Sequence, residues 1–230
     1  MIYITGDTHG WIDYNKIMRL ESNSFTGRKL KKSDYLIVLG DFGILWDKSD
    51  SHKRLFQEWS SKPYTVLFID GNHENFPVIN SYPIEIWNGG KVHNINGVLH
   101  LMRGQMFNIE GKSFFTMGGG DSVDKMRRIP DVSWWQEELP SFIEYDEGIR
   151  NLESHNNVVD YILTHSCSNR MFYRLSTAAK MFPIFSCLND YFDDIEEVVT
   201  FKHWYFGHYH IDVNLDETHT AMYNEIIKIK

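Results

Sequence analysis

Four short clusters in this chain gather side chains that bind cations: Gly6-Asp7-Thr8-His9, Gly40-Asp41, Gly71-Asn72-His73-Glu74 and Gly207-His208-Tyr209-His210. His165 stands alone as a fifth position. Carboxylate, amide and imidazole donors without a thiolate fit manganese, iron, zinc or nickel better than a cysteine-rich structural zinc site. In extended backbone residues i and i+2 project to one side, so Asp7 with His9, and His208 with His210, can each present a pair of ligands to one point. Either pair alone is a weak signal, because such spacings arise by chance. The weight lies in the order and company of all the clusters.

These side chains need a frame that gathers them. Apolar runs precede most of the clusters: Ile2-Tyr3-Ile4, Tyr35 to Leu39, Val66 to Ile69 and Trp204-Tyr205-Phe206, with Tyr161-Ile162-Leu163 ahead of His165. Read as strands, the runs place the clusters at strand carboxyl ends, where open α/β sheets hold their ligands. Mixed three- and four-residue apolar spacing predicts helices over Trp11 to Leu20 and Ser51 to Ser60, giving a βαβ pattern through residue 75. From Ile84 to Met117, Asn88-Gly89-Gly90, Asn96-Gly97 and Glu110-Gly111 read as hairpin turns, and a second sheet is expected to begin there. Residues 118 to 133 read as a loop. Ser133 followed by Glu137 and Glu138 reads as a capped helix start at Trp134. Residues 170 to 198 read as helical around Pro183, and Trp204 to Ile229 as strands turning at Asp216-Glu217. The amphipathic stretch from Phe185 to Val199 suits a helix that covers the core, or a rim over the ligands.

The ordered set of clusters resembles the calcineurin-like metallophosphoesterase superfamily. The resemblance implies an α/β sandwich of two mixed β-sheets flanked by helices, here as one domain over residues 1–230. It implies that Asp7, His9, Asp41 and His210 hold one divalent ion and Asp41, Asn72, His165 and His208 the other, with manganese the first expectation and Asp41 bridging. A carboxylate suits that role, since its two oxygens can span ions about 3.5–4 Å apart, whereas a neutral imidazole offers one free lone pair. His73 matches the family's general acid. Glu74 reads equally as an orienter of an imidazole from behind and as a surface residue. The activity implied is hydrolysis of phosphate mono- or diesters; the alternatives are a phosphatase of the Ser/Thr protein phosphatase type and a non-catalytic module that keeps the fold.

Ser/Thr protein phosphatases of this superfamily carry an Asp-Arg soon after Gly-Asp and an Arg soon after Gly-Asn-His-Glu. Here Phe42-Gly43-Ile44-Leu45-Trp46 and Asn75-Phe76-Pro77 occupy those places. The replacement candidate is the segment from Gly118 to Arg128, where Lys125, Arg127 and Arg128 follow a run of glycines. Arg127 or Arg128 is the candidate to bind substrate phosphate, as planar guanidinium groups do bidentately, the alternative being a solvated loop whose charges face water.

A net charge of −8 argues against strong non-specific nucleic-acid binding, which needs cations along the phosphate backbone. A small phosphorylated molecule or nucleotide is the expected partner. Two cysteines are too few for a disulfide framework, and no apolar stretch reaches the ~18 residues of a membrane span. With a strand already at Met1-Ile2-Tyr3-Ile4, the expected location is cytoplasmic. Cys167 reads as a packing thiol. His52, His93, His100, His155, His203 and His219 read as structural or surface residues.

Overall fold

Strands buried on both faces read as unbroken apolar runs, and the computed structural model, which describes residues 1–46, 49–179 and 186–229, folds them that way. In chain order the first elements are β1 (Ile2–Thr5), α1 (Asn15–Glu21), α2 (Asn23–Thr26), β2 (Tyr35–Leu39), α3 (Asp50–Ser60), β3 (Thr65–Ile69), α4 (Phe76–Ile79), β4 (Ile84–Trp87), β5 (Gly90–Ile95) and β6 (Val98–Leu101). There follow β7 (Gln105–Ile109), β8 (Lys112–Met117), α5 (Phe142–Ser154), β9 (Val158–Thr164), α6 (Asn169–Ala179), α7 (Cys187–Val198), β10 (Thr200–Phe206), β11 (Val213–Asn214), β12 (His219–Ala221) and β13 (Ile226–Lys228).

Among the described residues one sheet has the order β13-β1-β2-β3-β6-β5-β4 and the other β11-β12-β10-β9-β8-β7. Both are mixed. β1, β2, β3 and β6 run parallel in the first, and β12, β10, β9 and β8 run parallel in the second. Alternation along each strand sorts side chains into layers. Ile2, Ile4, Ile37, Leu39, Leu67 and Ile69 meet Phe114, Leu163 and Tyr205 between the sheets. Tyr3, Leu36, Val38, Val66 and Phe68 face α1 and α3, while Phe115, Ile162, Trp204 and Phe206 face α6 and α7. The two mixed sheets flanked by helices are the expected fold class.

The hairpin turns stand where the sequence puts them. Asn88-Gly89, Asn96-Gly97 and Glu110-Gly111 each carry two consecutive positive φ values, from 48° to 99°, as two-residue turns matched to strand twist require. The second sheet, however, begins at Gln105 and not at Ile84. β6 lies parallel to β3, which keeps β4, β5 and β6 in the first sheet.

Two helix starts also move. The helix expected from Trp11 begins at Asn15, because His9 (φ 42°) and Gly10 (φ 65°) are left-handed and the N–H groups of Ile12 and Asp13 turn back to the carbonyls of His9 and Thr8. The helix expected from Trp134 is a 3₁₀ turn over Gln136–Glu138, and α5 begins only at Phe142. Pro140 holds Leu139 extended, and the true start signal is Ser141 with Glu144. The Ser141 hydroxyl accepts from the Glu144 N–H at 3.4 Å while the Glu144 carboxylate accepts from the Ser141 N–H at 2.7 Å. α6 and α7 lie in the segment expected to be helical; Pro183 and Phe185 fall outside the described residues. α7 buries Leu188, Tyr191, Phe192 and Ile195 against the second sheet, so it covers the core. No helix among the described residues is long and apolar enough to cross a membrane.

Ser141→Ala should lower stability by about 1 kcal/mol, the usual worth of an N-cap, seen as a reduced denaturation midpoint at unchanged m-value.

Candidate metal centre

Parallel strands of both sheets end at one edge of the sandwich, and their carboxyl ends carry the clusters. Asp7 and His9 follow β1, Asp41 follows β2, Asn72 and His73 follow β3, His165 follows β9, and His208 and His210 follow β10. Four of these residues hold left-handed backbone: His9 (φ 42°), Asp41 (φ 46°), His208 (φ 72°) and His210 (φ 52°). That conformation costs a non-glycine residue ~1–2 kcal/mol, so the surroundings must enforce it. Buried Glu74 does so for the turn at Asp41, accepting from the Phe42 N–H at 2.6 Å and the Gly43 N–H at 3.3 Å. It thus anchors backbone, and neither orients an imidazole nor stands at the surface. Burial and the Asp41 charge push its carboxyl well above the ordinary range. Thr8 and His9 N–H groups tie the two turns together through the Asp41 carbonyl.

Asp7, His9, Asp41 and His210 bring one ligand atom each to within 4.8 Å of one another. His9 Nδ1 lies 2.7 Å from Asp13 Oδ2, so that nitrogen donates and Nε2 presents toward Asp41 Oδ2 at 3.3 Å. His210 Nε2 stands 3.2 Å from Asp7 Oδ2. That oxygen is buried and has no hydrogen-bond partner among the described residues, although its twin, Oδ1, accepts from the His208 N–H at 3.0 Å. Burial alone would lower the His9 pKa, but Asp41 and Asp13 outweigh it and raise the group to about 9.

The second group is stricter. His165 Nδ1 donates to the Leu39 carbonyl at 2.7 Å, leaving Nε2 to face Asn72 Oδ1 at 3.0 Å and Asp41 Oδ1 at 3.4 Å. The Asn72 amide N–H donates to Ser122 Oγ at 2.9 Å, with its Oδ1 toward His165. The His208 ring lies 4.9 Å from that of His165. Burial first, and His165 next, depress His208 to about 3, so it stays a neutral donor of its lone pair. Burial would raise Asp41, but His165 and His9 hold its carboxylate far below the usual range. Gly120 leaves the centre open. A Cβ there would stand 3.2 Å from Asn72 Oδ1 and from His165 Cδ2, and 3.3 Å from His208 Cε1.

Oxygen and imidazole-nitrogen atoms of ligand type thus converge in both groups, with a buried carboxylate oxygen that lacks a hydrogen-bond partner in one. Such a cluster can hold a metal ion, and oxygen with imidazole donors fits divalent metal ions. Asp41 belongs to both groups, through Oδ2 toward His9 and Oδ1 toward His165.

His73 stands beside the cluster, its N–H bonded to Asp41 Oδ1 at 2.7 Å and its ring 5.9 Å from that of His9. Arg128 Nη2 lies 3.2 Å from His73 Nε2. A guanidinium has no lone pair to offer, so Nε2 is the acceptor here. Burial and then Arg128, against the pull of Asp41, keep His73 below the ordinary histidine value. Arg128 is held by Asp124 at 2.8 Å and the Ser133 carbonyl at 3.2 Å. It lines a cleft of about 360 Å³ with Asp41, Asn72, His73, His208 and His210, walled by Val123, Phe172 and Tyr209. Arg127 is exposed and does not line that cleft, and Lys125 is paired with Asp121 at 3.0 Å.

Sequence reasoning missed three supports: Asp13, Ser122 and the buried set around Asp70. Asp13 had a signal, four residues after His9. Asp70, just before Gly71, accepts from Arg103 at 2.8 Å and pairs with His100 at 2.9 Å, and His100 meets His93 at 3.0 Å. No sequence spacing announces these pairings. Cys167 is buried, with its thiol pushed up by that burial.

Asp41→Asn should abolish both ions, since the amide loses the charge and the second strong donor oxygen, whereas His165→Ala should empty mainly one. Metal-to-protein ratios after equilibrium dialysis against manganese check this; two ions retained by the Asp41 variant would refute the shared role.

No curated protein matches this chain. The family model for the calcineurin-like phosphoesterases, whose members typically depend on two metal ions, matches residues 1–212 of the 230 and spans every group just described. The chain belongs to the calcineurin-like phosphoesterase family.

Proposed function

We propose that this chain hydrolyses phosphate mono- or diesters of a small nucleotide or a nucleic-acid end, using two divalent ions, manganese first among the candidates. Asp7, His9, Asp41 and His210 hold one ion and Asp41, Asn72, His165 and His208 the other. One observation carries the reading: Asp41, Asn72, His208 and His210 of the two groups and the Arg128–His73 pair open onto the same cleft. When bound, the ions supply Lewis acidity toward phosphoryl oxygens and a water acidified to near neutrality.

The side chains do the rest. Arg128 binds non-bridging oxygens of the substrate, and in moving to them it releases His73 Nε2, which can then carry the proton that the leaving oxygen needs. Phe172, Tyr209 and Val123 give the cleft an apolar wall suited to a base or an aryl group. A cleft of about 360 Å³ suits a small ligand, and Asp121 and Asp124 at its edge disfavour a long polyanion. The absence of the two arginines that mark Ser/Thr protein phosphatases weighs against a phosphoprotein substrate. Two unpaired cysteines support a cytoplasmic location.

The test is a substrate panel with manganese present: bis(p-nitrophenyl) phosphate, nucleoside monophosphates, cyclic nucleotides, dinucleoside polyphosphates, short RNA and phosphopeptide. Turnover of nucleotides above phosphopeptide is expected; no turnover of any would refute the catalytic reading. His73→Gln should keep both ions and slow alkyl-phosphate hydrolysis on the order of 10²–10⁴-fold, with a smaller loss for p-nitrophenolate, which leaves without protonation. Equal losses on both would show that His73 positions phosphate instead. Arg128→Ala should lower kcat/KM by a factor matching about 1.5–3 kcal/mol, and Arg127→Ala by less.

A further inference from the structure

The residues after Asp212 lie beyond the family match, yet one of them reaches the candidate metal centre. The chain leaves β12, forms a tight turn at Tyr223 to Glu225 and enters β13, which pairs antiparallel with β1. This turn therefore bridges the two sheets at the edge where the ligands gather. It is well fixed. The Asp212 carboxylate accepts from the N–H groups of Tyr223, Asn224 and Glu225 at 2.7, 2.9 and 3.0 Å. Lys16 Nζ donates to the carbonyls of Gly6 and Tyr223, and the backbone of Gly6 lies so close to Met222 that a Cβ there would meet its carbonyl oxygen at 2.2 Å.

The fixed turn delivers Tyr223 to two ligand histidines at once. Its hydroxyl donates to Asp13 Oδ1 at 2.9 Å, and Asp13 Oδ2 meets His9 Nδ1 at 2.7 Å. Its ring stacks on that of His210, with centroids 4.7 Å apart and planes 12° from parallel. His9 and His210 share one ligand group with Asp7 and Asp41.

We propose that Tyr223 is a positioning residue for the Asp7, His9, Asp41 and His210 site, holding His9 through Asp13 and His210 through its ring, and that this site alone owes its affinity to the carboxyl-terminal turn. This rests on the ligand assignment above and not on catalysis. The hydrogen bond fixes the orientation of the Asp13 carboxylate, which in turn fixes the His9 tautomer and ring plane. The stack restricts the exposed His210 ring, which has no hydrogen-bonded orienter among the described residues. The other site draws its order from the Leu39 carbonyl and Ser122, and Tyr223 touches neither.

Two single-site backgrounds separate the effects. His165→Ala leaves the Asp7, His9, Asp41 and His210 site, and His9→Ala leaves the other. Manganese affinity is read by isothermal titration calorimetry in each, with and without Tyr223→Phe, and with circular dichroism melts as the folding control. In the His165→Ala background Tyr223→Phe should weaken manganese about 10-fold, within the usual range for lost outer contacts of metal-bound histidines, and Tyr223→Leu should weaken it further by removing the stack. In the His9→Ala background neither should change affinity. Asp13→Asn combined with Tyr223→Phe should cost little more than Asp13→Asn alone, because both act through one hydrogen-bonded chain. Unchanged affinity in the first background, or equal weakening in both, would overturn the proposal while leaving the ligand assignment intact. A wild-type protein that bound no manganese would overturn both.

Discussion

At the edge where the sheets meet, Nε2 of His165 faces Asn72 Oδ1 at 3.0 Å and Asp41 Oδ1 at 3.4 Å, and the buried carboxylates of Asp7 and Asp41 lie close enough to oppose each other's charge. Two buried carboxylates so placed repel one another, and burial removes the water that would soften the effect. The rest of the fold is arranged around the need to hold them there. Left-handed backbone at His9, Asp41, His208 and His210 points the ligands inward, Glu74 ties down the turn at Asp41, and Gly120 keeps a side chain out of the centre. A cation bound there would offset the repulsion and stabilise the folded chain. At a free concentration a hundred times its dissociation constant, one ion would contribute about 2.7 kcal/mol.

The sandwich gives these contacts their rigidity. Parallel strands of both sheets end on the same side, so a ligand on β1 and a ligand on β10 are neighbours although some 200 residues separate them; the His208 N–H bonds Asp7 Oδ1 across the two sheets.

Much of this was legible in the sequence because the clusters sit directly after short apolar runs that read as strands. Asn-Gly and Glu-Gly pairs marked their hairpins, since few other residues accept the required positive φ. Sheet membership was not legible. β6 pairs with β3 through contacts 32 residues apart, such as Val66 with Val98, and no local pattern distinguishes that from the start of a new sheet. The start of α5 was legible but misplaced, because Ser133 with its acidic followers competed with Ser141 and Glu144, and Pro140 decides between them. Which side chains gather at this edge could be read from their motifs. What orients them could not: Asp13 and Tyr223 reach His9 as a chain across 210 residues, and Glu74 bonds backbone N–H groups that carry no sequence signature.

Anomalous scattering from crystals soaked in manganese, collected on both sides of the manganese edge, tests the central claim most directly. The two groups that share Asp41 predict two peaks flanking it, about 3.5–4 Å apart, one bounded by Asp7, His9 and His210 and the other by Asn72, His165 and His208. A single peak away from Asp41, or none at saturating manganese with the same side-chain positions retained, would contradict it.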